Sequence, residues 1–148
     1  EMYGVPIGTV REVLDYQPVT KLPGSNKIFD GVINLRGSVV PVADIRIKFG
    51  MAKTVLTKGS CIIVMRINAS EEEGKTTVGV LADQVMEVAD IASADIQQPP
   101  EMGTGVPAQY LRGIGKRAEN FFMVLDIDAI IGDDMRVFTA QHGKESEQ

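Results

Sequence analysis

A chain of 148 residues, 44% hydrophobic and 24% charged, has the length and composition of one compact domain or of two small subdomains on a shared core. Its net charge of −5 argues against a sequence-independent nucleic-acid binder, whose affinity comes from neutralising phosphates. No apolar run nears the roughly 20 residues of a membrane span, no signal segment opens the chain, and the lone Cys61 excludes an internal disulfide and points to a reducing cytoplasm.

Richness in Val and Ile, with no Trp, favours strands. YGVPIGTVREVLDY (3–16) reads as two strands, 3–7 and 10–16. TKLPGSNKIFDG (20–31) is a turn-rich connection punctuated by Pro23-Gly24. GVINLRGSVVPVADIRIKFG (31–50) follows as a strand (31–35), a Leu35-Arg36-Gly37 corner, a strand (39–43) that contains Pro41, and a short helical stretch near 45–49. The corner carries a long basic side chain, Arg36, where nothing local requires a charge. AKTVLTKGS (52–60) links to CIIVMRIN (61–68), a polar EEEGKT hairpin (71–76) and the VGVL strand. Cys61 opens an apolar run and reads as a buried, inert thiol. DIQQPPEMGTGVPAQY (95–110) is a long loop held extended by Pro99 and Pro100. FFMVLDIDAII (121–131) ends in a further helical turn, and TAQHGKESEQ (139–148) reads as a frayed polar tail.

The chain repeats itself. Residues 3–15 align with 78–90 at a constant offset of 75 (78 − 3), with identities at Gly4/Gly79, Val5/Val80, Val10/Val85, Glu12/Glu87, Val13/Val88 and Asp15/Asp90. Leu35-Arg36-Gly37 recurs as Leu111-Arg112-Gly113, and each is followed by an apolar run ending in Asp-Ile. Two similar β units of short strands suggest small barrels or sandwiches, with subdomain 1 at about 1–52 and subdomain 2 at about 60–135. CIIVMRIN and its hairpin precede VGVL, whereas no counterpart precedes YGVPI. The expectation is therefore that barrel 1 lacks its first strand and leaves residues 3–7 as an unpaired edge.

Catalytic signatures fail on spacing. EEEGKTT lacks the glycine that a phosphate-binding loop needs five residues before Gly74, where Ala69 stands. GIGKRA (113–118) precedes a strand rather than the helix a dinucleotide turn would open. LDIDAIIGDD (125–134) holds four aspartates, but Ile131 and Val137 occupy the calcium-loop positions reserved for glycine and glutamate. Asp126 and Asp128 are expected to cap the following turn. The one histidine, His142, rules out a His-based triad or a His-rich metal site. No cofactor or metal is expected.

GVINLRGSVVPVADIRIKFG, with VREVLDY before it and YLRGIG and FFMVLDIDAII after it, resembles the CheW family of bacterial chemotaxis coupling proteins over roughly residues 3–135. The resemblance implies a single CheW-like domain (1–148), mainly β, with two five-stranded SH3-like barrels sharing a core and short helical turns. It also implies a non-enzymatic adaptor, cytoplasmic at membrane-associated receptor arrays. Its partners would be the cytoplasmic tip of a chemoreceptor (a methyl-accepting chemotaxis protein) and the regulatory domain of the histidine kinase CheA, without nucleic acid or membrane insertion. Carried over by position, the partner-binding surface comprises Val10, Glu12, Gly31, Asn34, Arg36 and Gly37 in the first unit. In the second it comprises Gly79, Val85, Val88 and Gly113. The valines have core as their alternative role and the glycines turns or close packing; Glu12 and Arg36 are the polar members.

Two other readings within and beyond that family stay open on sequence alone. The chain could be the CheW-like portion of a larger chemotaxis protein, namely a receiver-fused coupling protein or the kinase's regulatory domain; the polar stop after Val137-Phe138 favours a standalone adaptor. A nucleic-acid-binding small barrel would need a basic face with stacking aromatics. Because an arginine and a glutamate recur in both units, an Arg36–Glu12 ion pair bracing the corner is expected, with Arg112–Glu87 as its counterpart.

Overall fold

Strand alternation and burial on both faces decide the architecture. The computed structural model describes residues 2–23, 27–70, 74–83, 96–98, 105–117 and 119–146. In chain order its strands are β1 (Tyr3–Gly4), β2 (Val10–Asp15), β3 (Phe29–Leu35), β4 (Ser38–Ala43), β5 (Cys61–Ser70), β6 (Gly74–Ala82), β7 (Ile96–Gln97), β8 (Leu111–Arg117) and β9 (Asn120–Leu125). Helix α1 (Ile45–Lys48) follows β4, α2 (Ile127–Ser146) follows β9, and 3-10 turns lie at Ile7–Thr9 and Ala108–Tyr110. The class is mainly β, as expected. The strands form a five-stranded sheet ordered β2-β5-β6-β4-β3 and a four-stranded sheet ordered β1-β9-β8-β7.

The interior strand β5 buries both faces, which is why CIIVM reads as a continuous apolar run. Ile62 and Val64 pack with Ile33, Val40, Val42 and Leu81. Met65 and Ile67 point the other way, into a larger core with Val78, Met123, Ile130, Ile131 and Met135. Each such side chain contributes about 1.5–3 kcal/mol on burial, so β5 ties the two apolar clusters together.

Pro41 lies in β4, an interior strand of the sheet, where its missing N–H ought to cost a ladder bond. Its neighbours avoid the cost. Val32, opposite Pro41, gives its N–H and takes its C=O bond from Thr20, both at 2.8 Å. On the other side, pairing of β4 with β6 begins only at Val42. The missing N–H of Pro41 therefore costs no bond to Val32.

Three expectations need correction. Residues 3–7 are not one strand: of them Tyr3–Gly4 alone pairs as a strand, and the 3-10 turn follows Pro6. β1 pairs in parallel with β9, Tyr3 to Met123 and Gly4 to Val124, so the edge that it forms belongs to the four-stranded sheet. Among the described residues the sheet carrying β2–β4 has five strands. Accordingly, a boundary at 52–60 does not separate the sheets: β5 and β6 complete the sheet begun by β2–β4.

The reason is strand exchange between the repeats. Gly79 of β6 pairs in parallel with Val42 of β4, just as Gly4 of β1 pairs with Val124 of β9. Gly4/Gly79 is one of the repeat's identities, and Val42 and Val124 hold matching places in VVPVADI and FFMVLDI. The first unit thus lends β1 to the four-stranded sheet, and the second lends β5 and β6 to the five-stranded one.

The third correction concerns the polar tail. Residues 139–146 continue α2, a helix of 20 residues. Ile127, Ile130, Ile131, Met135 and Phe138 are buried on one stripe. Once those turns are fixed by packing, each added residue gains a backbone hydrogen bond without a new nucleation cost. Polar composition alone hid the continuation.

Candidate protein-interaction site

The corner between β3 and β4 is a two-residue turn. Leu35 pairs with Ser38, and the residues between them, Arg36 and Gly37, have φ of +50° and +88°. Two successive positive φ values match the twist of a tight hairpin. Glycine adopts them freely; arginine at +50° gives up about 1 kcal/mol. Asn34 steadies the turn, its Oδ1 accepting from the Gly37 N–H at 2.9 Å.

Arg36 crosses to β2 and forms an ion pair with Glu12, as expected. The register of β2 against β5 shifts between Val10 and Glu12. No backbone ladder joins β2 to β3 among the described residues, so the pair links the two outer strands of the five-stranded sheet through side chains. Arg36 is 71% exposed and Glu12 29%, which sets the pair's stabilising value at about 0.2–1 kcal/mol. Its consequence is positional more than energetic. The pair borders a cavity of about 700 Å³ whose lining includes Leu22, Leu35, Val40 and Val64.

The other expected residues take varied places. Asn34 and Gly37 are exposed beside Arg36, and Val10 is half-buried opposite Met65. Gly31, Gly79 and Gly113 are buried. A Cβ on Gly31 would lie 2.6 Å from the Thr20 carbonyl oxygen, one on Gly79 2.7 Å from Ile62 Cγ2, and one on Gly113 2.5 Å from the Gln97 carbonyl oxygen. All three allow close approach rather than offering a contact surface themselves. Val85, Val88 and Glu87 lie outside the described residues.

The expected Arg112–Glu87 counterpart rested on a false equivalence. Leu111-Arg112-Gly113 opens β8; it is no turn. The structural match runs at an offset of 82 (113 − 31): Gly113 answers to Gly31, and Gln97 opposite Ile114 answers to Thr20 opposite Val32. Both glycines end a register shift, Phe29/Gly31 and Leu111/Gly113. Arg112 therefore corresponds to Asp30, not to Arg36.

Remaining reactive groups have structural duties. Asp44 is buried and caps α1: its carboxylate accepts from the Arg46 N–H at 3.3 Å, the Thr54 N–H at 2.8 Å and the Thr54 hydroxyl at 2.8 Å. Asp126 caps α2, accepting from the Ala129 N–H at 3.2 Å. Asp128 does not cap; it receives the Asn68 N–H at 2.9 Å and Nδ2 at 3.2 Å, fastening α2 to β5. Asp133 pairs with Arg136, and Asp134 receives Lys48 Nζ at 2.8 Å, joining α2 to α1. Among the described residues no His, Cys, Asp or Glu cluster could hold a metal. Burial pushes the Cys61 thiol up, with Asp15 and Asp83 adding to the effect, so it stays protonated at neutral pH. Among the described residues, no helix is long and apolar enough to cross a membrane.

Sequence reasoning missed Arg66 and Lys75, which line the cavity from β5 and β6. Strand alternation held the signal: Arg66 shares a face with buried Ile62 and Val64.

These features define a class, a two-sheet β scaffold that presents a braced turn and an adjoining groove. Within it the chain belongs to the CheW-like domain family, whose sequence model matches residues 1–135. It is 29% identical over 134 residues to the chemotaxis protein CheW of Klebsiella aerogenes, covering 90% of this chain and 77% of that protein. It is 35% identical over 118 residues to protein FrzA of Myxococcus xanthus, covering 79% and 69% respectively. The crystal structure of the scaffolding protein TtCheW from Thermoanaerobacter tengcongensis matches with a TM-score of 0.74 and 31% identity, over 84% of this chain and 77% of that one.

Proposed function

We infer that this CheW-family scaffold is a non-enzymatic coupling adaptor, joining the cytoplasmic tip of a chemoreceptor to the regulatory domain of the histidine kinase CheA. It acts in the cytoplasm at membrane-associated receptor arrays, and its output is the activity of a neighbouring kinase. The observation that carries this reading is the Arg36–Glu12 pair, which holds a conformationally costly turn at the rim of an apolar groove. A backbone cost of about 1 kcal/mol, offset by a pair worth no more, gives the fold little. The arrangement makes sense as a surface held in shape for a partner. Asn34, Arg36, Gly37 and Glu12 would be touched directly. Val10, Gly31, Gly79, Val85, Val88 and Gly113 complete the proposed surface or support it from behind.

A pull-down with a receptor cytoplasmic fragment and the CheA regulatory domain tests the reading. Both are expected to be retained. Arg36→Glu and Glu12→Arg should each reduce retention of at least one partner with the fold unchanged by circular dichroism. The double swap should recover part of it if bracing is the role, and none if a partner reads Arg36 directly. Failure of both partners to bind the unaltered protein would overturn the adaptor reading.

A further inference from the structure

A second cavity, of about 320 Å³, lies at the seam between the sheets. Its lining combines Thr9 of the first 3-10 turn, Arg66 and Asn68 of β5, Lys75 of β6, Arg112 of β8 and Asp128 at the start of α2. Three cations and one carboxylate converge there, in a chain whose net charge is −5. The carboxylate is already engaged, since both Asp128 oxygens accept hydrogen bonds from Asn68. None of the ion pairs or side-chain hydrogen bonds among the described residues involves Arg66, Lys75 or Arg112.

The register explains how they come together. Arg66 faces Thr77, and Asn68 faces Lys75, on the β5–β6 ladder. Arg66 and Lys75 are thus diagonal neighbours on one face, about 7–8 Å apart at the backbone. That face is the one that carries Ile62 and Val64 into the apolar cluster. Where the cluster ends, the strand positions that would continue it hold basic side chains instead. Both residues also line the larger cavity, alongside Leu22, Leu35, Val40 and Val64. An apolar floor therefore runs into a cationic seam. Arg36, by contrast, is neutralised by Glu12 and adds little to that charge.

We propose that this seam docks an acidic amphipathic segment of a protein partner. Its apolar side chains rest on the larger cavity, and its carboxylates meet Arg66, Lys75 and Arg112. Charge complementarity selects the occupant. Three like charges around one cavity repel one another, and an incoming carboxylate relieves that repulsion while it steers the encounter. An apolar segment without acids would leave the cations unsatisfied. The proposal rests on the adaptor reading for the probes used to test it, but not for the chemistry.

The test measures binding of the receptor cytoplasmic fragment and of the CheA regulatory domain separately, at low and high salt. The proteins compared are the unaltered one, Arg66→Glu with Lys75→Glu, and Arg112→Glu. Charge reversal is expected to weaken one partner at least about tenfold, and to abolish the salt dependence of that partner's binding. The other partner should stay within about twofold. Unfolding midpoints near the unaltered value establish that the fold survives; Arg66→Gln with Lys75→Gln serves where reversal unfolds the chain. If both partners bind and the variants change neither, the docking site fails while the adaptor reading stands. If neither partner binds the unaltered protein, the adaptor reading fails, and a synthetic helical peptide of Glu and Leu decides the site. Amide shifts around Arg66, Lys75 and Arg112 on adding that peptide support the site, and their absence overturns it. Tripolyphosphate shifting those residues where no protein segment does would also overturn it, leaving a small-anion site only.

Discussion

Gly31 in β3 and Gly113 in β8 hold the same post in two hairpins. Each follows a register shift, and each passes under a carbonyl oxygen that a Cβ would approach to 2.6 Å or 2.5 Å. Beyond that shared opening the hairpins diverge. β3–β4 turns through Arg36-Gly37, pinned to β2 by Glu12, and runs into a helix of four residues. β8–β9 runs into a helix of 20 residues that packs across the core. The framework is duplicated because both sheets solve the same packing problem. The corner and the long helix are not duplicated, and there the two halves have taken separate tasks: one presents a surface, the other seals the core.

If the helices divide in this way, their core residues should differ sharply in cost. Ile131 and Met135 of α2 are 0% and 1% exposed. Ile131→Ala and Met135→Ala should each destabilise by about 2–5 kcal/mol in urea unfolding. Ile45→Ala in the half-buried α1 should cost less than about half as much, because its site can relax into solvent. Equal losses in the two helices would break the contrast.

The duplicated framework can be tested at its glycines. Gly31→Ala and Gly113→Ala both force a Cβ onto backbone, and each should lower stability by about 1–3 kcal/mol. Gly37→Ala meets nothing within 4 Å and carries only the conformational cost of φ +88°, about 1 kcal/mol. A neutral Gly113→Ala beside a costly Gly31→Ala in thermal denaturation would show that the offset of 82 (113 − 31) is a coincidence of register.

Much of this was legible in the chain. Alternating β-branched runs marked β2 through β6, Asp44-Ile45 and Asp126-Ile127 marked the helix starts, and the recurring Gly-Val marked the strands that the units exchange. The Arg36–Glu12 pair was expected from the recurrence of an arginine and a glutamate in both units, and it forms although Arg112 does not occupy the matching corner. Other features were not legible. A repeat reports that two segments are alike, not which sheet each joins, so the edge formed by β1 was expected in the sheet of β2–β4 and lies instead in the four-stranded sheet. Leu111-Arg112-Gly113 copied the letters of the corner without its backbone, because sequence does not show φ. Arg66 ended an apolar run, and only the fold shows that pairing with β6 sets it beside Lys75, in a cavity that Arg112 also lines.

The smallest expected effect separates the two Leu-Arg-Gly motifs most cleanly. Arg36 has φ +50°, whereas Arg112 is a strand residue outside the positive-φ set. Replacing arginine by glycine should therefore act differently at the two sites. Arg112→Gly adds chain entropy to the unfolded state and removes strand-forming bulk, a loss of about 0.5–1 kcal/mol. Arg36→Gly carries the same entropy cost and also loses the pair with Glu12, about 0.2–1 kcal/mol. It recovers about 1 kcal/mol of backbone strain, since glycine takes the left-handed region freely. Arg36→Gly should thus be no more costly to stability than Arg112→Gly, yet it should weaken partner binding, because the turn loses its brace. A double-mutant cycle of Arg36→Ala and Glu12→Ala then isolates the pair, with an expected coupling of about 0.2–1 kcal/mol in unfolding. A coupling of zero, or an Arg36→Gly clearly less stable than Arg112→Gly, would mean that the corner is held by Asn34 and the ladder alone, with Arg36 free to address a partner directly.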